Sequence, residues 1–363
     1  MASEKSEPGL QDLRQEINRI DGDIVRLIDE RARVVRQVGE LKKHSGAPVF
    51  RPERENVVLK RAADASKELP AASVHAIFRE ILSSCRALEE KLRVAYLGPR
   101  GTFSEMAVLS RFGSAVRTEP CTNIPDAFRM AENRRADYAV VPIENSTQGT
   151  VSITFDQLLS TPLTIVGEVS VPVIHNLLTK NGTLEGIRRV AAHPQALAQC
   201  RGWLSEHLPG AELSSVSSNA EGARLASLDP ATGAIAALRA ADIYGLEAAA
   251  EGIQDWAGNR TRFLVLGHET THRSAPPLRD KTTFEFSVRN KAGALFEVLE
   301  LLAREHVSMT HLESRPARNG AWEYNFFVDV EGHIEDEPVR KALSAVKENS
   351  AIFKFLGSYP AAE

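Results

Sequence analysis

An apolar stripe too long for one helix to bury by itself opens the folded part of this chain. Leu10, Leu13, Ile17, Ile20, Ile24, Leu27, Val34, Val38 and Leu41 recur at helical spacing, the pattern of an amphipathic helix. Such a helix is ~50 Å long at 1.5 Å per residue and needs a partner along most of that length. A second copy of the chain is the economical partner. Arg31 sits on the stripe between Leu27 and Val34. Lys42 lies about 20° away around a helix turning ~100° per residue. A buried cation is costly unless an anion meets it. The alternative is that the stems lie on the apolar edge while the charged heads reach water.

The next two segments favour a binding site. Gly46-Ala47-Pro48 closes the first helix, and Pro52 suits the first turn of a second that runs to about Ala65. Leu69-Pro70 precedes a third, with Val74, Ile77, Phe78, Ile81, Leu82, Leu88 and Leu92 as its apolar face. Cys85 and Glu89 continue those rows, and Glu55 interrupts the inner face of the second helix beside Arg54. Charges on the apolar faces of all three helices point to a small, multiply charged anion. Arg14 and Arg31 are ~25 Å apart along one helix. They can share such a ligand only if Arg14 comes from an antiparallel second chain.

From Leu10 to Leu92 the chain resembles the all-helical chorismate mutase family. The resemblance rests on Leu13-Arg14, Glu30-Arg31, Val38-Gly39-Glu40-Leu41-Lys42, Pro48-Val49 and Arg54-Glu55. It implies a domain-swapped dimer that binds a dicarboxylate. Arg14, Arg31 and Arg54 would take carboxylates, Lys42 the ether oxygen and a carboxylate, and Glu55 the substrate hydroxyl. Arg51 stands where the family's enteric form has Asp, Cys85 where it has Ser, and Glu89 where it has Gln. Arg51 and Cys85 are also expected among the substrate-binding residues, and at those two positions backbone groups could serve in place of the family's side-chain contacts. The rearrangement of chorismate to prephenate needs a held conformer and stabilisation of charge on the ether oxygen. Glu89 would supply a hydrogen bond there only if protonated, which burial and a nearby anion favour.

The whole chain has 363 residues, enough for two or three domains, with 43% hydrophobic residues and a formal charge of -4. No basic run indicates nucleic acid, and no apolar run is long enough for a membrane. The first nine residues read as a polar tail. Cys85, Cys121 and Cys200 are scattered without metal-ligand spacing. A reduced cytoplasmic setting is expected, with no metal and no cofactor.

From Arg93 onward, short apolar strands alternate with helices. Val94–Leu97 leads into Gly98-Pro99-Arg100-Gly101-Thr102-Phe103-Ser104-Glu105, where Thr102 or Ser104 can cap a helix. The free N–H groups of that helix start could attract a carboxylate, or the turn could be capping alone. Tyr138–Val141 leads into Pro142-Ile143-Glu144-Asn145-Ser146, and Arg189–Ala192 into His193-Pro194-Gln195. In open α/β sheets ligands gather beyond such strand ends. Asn259-Arg260-Thr261-Arg262-Phe263 completes a set of separated motifs resembling the prephenate dehydratases, over roughly Arg93 to Gly267. The resemblance implies two α/β lobes laid out like periplasmic binding proteins, with crossings expected near Val166–Val173 and Arg260–Phe263. It makes Thr261 the catalytic residue in the decarboxylation and dehydration of prephenate to phenylpyruvate. Thr102, Ser104, Asn145 and Ser146 would place the substrate. Arg262 would contact a carboxylate, or serve as a structural ion-pair partner.

Ser274-Ala275-Pro276-Pro277 reads as a linker. Beyond it the pattern is βαββαβ, the ferredoxin-like plan, with a turn at Asn319-Gly320. Gly293-Ala294-Leu295-Phe296 and Glu313-Ser314-Arg315-Pro316 resemble the phenylalanine-binding motifs of the ACT regulatory domain. The alternative is a plain dimerisation sandwich. The expected domains are therefore 1–92, an all-α three-helix mutase; 93–270, an α/β dehydratase; and 278–363, an α+β ACT domain. End-product inhibition by L-phenylalanine is implied, in a homodimer or larger homo-oligomer. Two other readings stay open: a phenylalanine sensor on an inactive binding-protein fold, and a dehydratase that also accepts arogenate.

Overall fold

In the computed structural model, residues 9–45, 48–288, 291–316 and 324–362 are described, with the backbone alone at 43–45. The first helix, α1 (Leu10–Ser45), runs unbroken, and its apolar stripe from Leu10 to Leu41 stands exposed. Pro52 opens α2 (Pro52–Ala65), where a missing N–H is harmless. The third helix, α3 (Ala71–Arg86), ends earlier than its apolar pattern predicts. Glu89 lies in the following turn, and Leu92 packs with Val94 and Tyr96 in the core of the next domain. The turn 319–320 lies outside the described residues.

A first sheet is built from β1 (Arg93–Leu97), β2 (Arg117–Cys121), β3 (Tyr138–Asn145), β4 (Gly149–Thr150) and β5 (Thr164–Pro172). The chain then crosses to a second sheet of β6 (Asn176–Thr179), β7 (Arg189–Ala192), β8 (Glu212–Ser215), β9 (Thr232–Ala236) and β10 (Glu247–Ala250). It returns as β11 (Arg260–Gly267), which lies antiparallel between β3 and β5. The sheet orders are β2-β1-β3-β11-β5 and β10-β6-β9-β7-β8. The crossings lie at 173–175 and 251–259, just outside the strands expected to hold them. They are tied where Val173 N–H donates to Asn259 O at 2.8 Å.

The last unit has β12 (Asp280–Ser287), β13 (Met309–Pro316), β14 (Tyr324–Glu331) and β15 (Ile352–Pro360), with helices Ala294–Arg304 and Glu337–Asn349. Its order is β13-β14-β12-β15. Phe327, Leu356 and Tyr359 enter the core beneath the first sheet, so this unit docks on the first lobe. The three-helix unit docks there too, through Phe50, whose ring lies 4.6 Å from that of Phe112 and 5.3 Å from that of Tyr138. The linker is ordered: Ser274 is buried and its N–H donates to Asp280 Oδ2 at 2.8 Å. No helix among the described residues is long and apolar enough to cross a membrane. They hold no cluster of His, Cys, Asp or Glu suited to a metal ion.

Candidate active sites

A cavity of about 570 Å³ opens between the two sheets, lined among others by Thr102, Ser104, Asn145, His175, Gln199 and Thr261. Strand ends supply the polar groups, because β3 and β11 pair with Asn145 opposite Thr261. Asn145 Nδ2 lies 2.9 Å from Thr261 Oγ1 and 2.8 Å from Asn259 Oδ1. Thr102 caps the helix Phe103–Phe112 by accepting from Glu105 N–H at 3.4 Å, and its own hydroxyl donates to Pro99 O at 3.0 Å. That hydroxyl already serves the turn. Ser104 is buried beside it, at the helix start.

Two expected members stand elsewhere. Ser146 does not line the cavity; its Oγ accepts from Arg260 N–H at 2.9 Å and closes the corner between β3 and β11. Arg262 does not line it either, because side chains alternate across a strand and Thr261 takes the cleft face. Arg262 Nε donates to Glu168 Oε2 at 2.7 Å, and Nη2 to Asp329 Oδ2 at 2.5 Å. Lys281 Nζ completes the cluster, 2.9 Å from Glu168 Oε1. Burial works against the charge of Arg262, yet Tyr359, Asp329 and Glu168 hold its pKa above the usual value. The guanidinium therefore clamps the last unit to the first lobe, and its expected carboxylate contact is corrected to the structural ion pair.

Sequence reasoning also missed His175 and Gln199 as cleft residues, and buried Glu105 as the support of the turn beside them. Glu105 accepts from Gly101 N–H at 2.7 Å and pairs with Arg100 at 3.4 Å, fixing the turn after β1. Its signal was present as an acid three residues after a threonine cap. His175 and Gln199 had no local signal.

A second cavity, about 530 Å³, is lined by Arg31, Lys42, Arg51, Arg54, Glu55, Cys85 and Glu89. Three helices and the turn after α3 thus bring together the misplaced charges. Arg31 Nη1 is buried without a protein partner. Lys42 Nζ donates to Glu89 Oε2 at 3.2 Å. Glu55 is paired with Arg86, which also donates to Phe112 O and lies over the Phe50 ring. Arg51 Nε is 2.9 Å from Glu53 Oε1, so it is neutralised by its own helix start. Arg14, on the far part of α1, does not line this cavity. His272 and Arg273 do, from the segment after β11. Arg273 Nε is 2.8 Å from Asp336 Oδ1 in the last unit.

In that unit Gly293 adopts a left-handed conformation, φ +81°, at the start of the helix Ala294–Arg304. Glu313 Oε2 accepts from Thr150 Oγ1 at 3.0 Å, and Arg315 Nη1 donates to Ser152 Oγ at 2.9 Å. Both side chains meet the first lobe next to β4.

Three family patterns match in order: "Chorismate mutase type II" at residues 13–90, "Prephenate dehydratase" at 94–271 and "ACT domain" at 282–348. The bifunctional chorismate mutase/prephenate dehydratase of Neisseria gonorrhoeae is 48% identical over 96% of both chains. That of Aquifex aeolicus is 41% identical over 97% of this chain and 98% of its own. Prephenate dehydratase of Arthrobacter aurescens, solved in complex with L-Phe, superposes with a TM-score of 0.68 at 36% identity, covering 74% of this chain and 90% of that one. With two cavities, a docked third unit and matches along nearly its whole length, the chain belongs to the bifunctional chorismate mutase/prephenate dehydratase family.

Proposed function

We propose that the chain rearranges chorismate to prephenate in the helical cavity and converts prephenate to phenylpyruvate in the cleft, under inhibition by L-phenylalanine. Each step follows from the groups in place. Arg31, Lys42 and Arg54 hold the carboxylates of chorismate and pin the compact conformer. Charge developing on the ether oxygen is met by Lys42 and by a proton donor at Glu89. For that, Lys42 turns from Glu89 to the ligand. The bare stripe of α1 supports an intertwined dimer in which Arg14 of a second chain completes the cavity.

In the cleft, the carbon–carboxylate bond of prephenate breaks to give carbon dioxide. Its electron pair enters the ring, and the ring hydroxyl departs as water with one proton, delivered through the Thr261 hydroxyl and replaced there from solvent. The observation that carries this reading is the Asn145–Thr261 contact. Asn145 donates to Thr261 Oγ1, which leaves the Thr261 proton for the departing oxygen. Two lobes joined by two crossings give the layout of periplasmic binding proteins, and the last unit follows the ferredoxin-like plan. Gly293–Phe296 and Glu313–Arg315 bind phenylalanine. Glu313 reaches Thr150 on β4, and β4 pairs with β3 beside Asn145, so a shift there reaches the cleft. Three free cysteines suit a reducing cytoplasm.

Purified protein assayed with chorismate, prephenate and arogenate, each with and without phenylalanine, tests the proposal. Turnover of chorismate and prephenate, the latter slowed by phenylalanine, is expected. Absence of either turnover would remove that activity. Phenylalanine binding without any change in rate would refute the coupling, and turnover of arogenate would widen the substrate class.

A further inference from the structure

Five polar side chains join the two lobes in one hydrogen-bonded line. Thr261 and Asn145 come from the first sheet, Asn259 from the returning crossing, Gln199 from the helix Pro194–Gln199 and His175 from the outgoing crossing. The direction of the line is fixed at one end. Asn145 Oδ1 accepts from the backbone N–H groups of Thr147 and Gln148, each at 3.1 Å, and a backbone N–H can only donate. The NH2 group of Asn145 therefore faces Thr261 Oγ1 and Asn259 Oδ1. Asn259 must then present its own NH2 to Gln199 Oε1, 3.3 Å away. The same oxygen receives His175 Nε2–H at 2.8 Å. Two donors are left over on residues that line the cleft: the hydroxyl proton of Thr261, and the NH2 of Gln199, whose nitrogen is enclosed behind the wall without a protein partner.

We propose that His175 and Asn259 are positioning residues of the dehydratase. They hold the Gln199 carbonyl inward, so that the Gln199 NH2 and the Thr261 hydroxyl are both offered to the substrate as donors. The inference rests on the dehydratase reading of the cleft. A donor pair suits prephenate, whose carboxylates and departing hydroxyl oxygen are acceptors. An inverted Gln199 would set its NH2 against the NH2 of Asn259 and its carbonyl against an anionic substrate. His175 is placed for the task. It is 2% exposed, its ring meets Phe103 edge-on at 5.7 Å, and its backbone is pinned by Gln254 and Ile253. Burial pushes its pKa down, keeping the ring neutral, with the Gln199 contact opposing. Asn259 is equally enclosed, at 4% exposure. Because the line runs from one lobe through the returning crossing to the other and ends on the outgoing crossing, it ties the setting of the donors to this relation of the lobes.

The test compares His175→Leu, which removes the donor, with His175→Gln, whose amide NH2 reaches the position of Nε2. Both are made in the full chain, and prephenate dehydratase and chorismate mutase rates are measured on the same preparation. Loss of one ordering hydrogen bond lowers dehydratase kcat/KM about tenfold in the leucine variant. Glutamine recovers most of that loss, while the mutase rate stays within about twofold of the parent in both. Parent-like kcat/KM in His175→Leu, or equal impairment of the two variants with the mutase intact, would overturn the proposal. If leucine abolishes both activities through misfolding, His175→Gln decides: near-parent dehydratase supports the role, and a fall of about tenfold or more overturns it. A parent protein without dehydratase turnover would instead overturn the reading of the cleft.

Discussion

Replacing Arg262 by methionine removes a guanidinium from between Glu168 of β5 and Asp329 of β14. Both carboxylates are buried, and breaking a buried ion pair typically costs ~3–5 kcal/mol. Two compensations place this site at the low end of that range. Lys281 still neutralises Glu168 at 2.9 Å, and Thr283 still donates to Asp329 Oδ1 at 2.7 Å. With ~3 kcal/mol lost and roughly 2–4 °C per kcal/mol for a unit of this size, the apparent Tm should fall by ~6–12 °C. Calorimetry of the full chain reads that shift, and prephenate kinetics on the same samples read the site. A clamp predicts a lower Tm with KM within about twofold of the parent. Arg262→Lys should be intermediate, because lysine keeps the charge and loses the fork that spans two carboxylates. An unchanged Tm with a KM rise of about tenfold or more would put the guanidinium in the cleft and refute the clamp.

Sharing of the mutase site between chains predicts complementation. Arg14→Ala and Arg31→Ala should each be nearly inactive as mutases. Mixed and allowed to exchange subunits, they should recover up to about a quarter of parent activity, since half the dimers are mixed and one of two sites in each is intact. Activity that stays at the mean of the two variants would contradict a shared site. A donor at Glu89 predicts that Glu89→Gln, whose amide keeps an N–H at that place, retains the mutase rate, while Glu89→Ala loses about tenfold or more. Glu89→Ala at the parent rate would remove Glu89 as the donor.

How much of this was legible depends on how local each signal was. The helical stripe, Pro52 and the charges at Arg31, Lys42, Glu55 and Glu89 are local patterns, and the fold brings those four charges to one cavity. The end of α3 was misplaced because Leu92 carries on a helical spacing while its burial belongs to the next domain's core. Thr261 and Arg262 are neighbours in sequence, and strand alternation alone separates their faces. Their partners Asn145, Glu168 and Asp329 lie 116, 94 and 67 residues away. The amide line through Asn259, Gln199 and His175 was illegible for the same reason. It spans two crossings, and nothing in the residues near His175 marks its ring as a partner of Gln199. The last unit's strands could be read from alternation, whereas its docking through Phe327, Leu356 and Tyr359 could not.

Two serial reactions on one polypeptide are tested most directly by feeding chorismate to the Thr261→Ala protein and following all three compounds in time. Chorismate should disappear at the parent rate, prephenate should accumulate in near-stoichiometric amount, and phenylpyruvate should stay at the level of spontaneous conversion. Phenylpyruvate forming as fast as in the parent, or chorismate left unconsumed, would contradict a separate dehydratase centred on that hydroxyl.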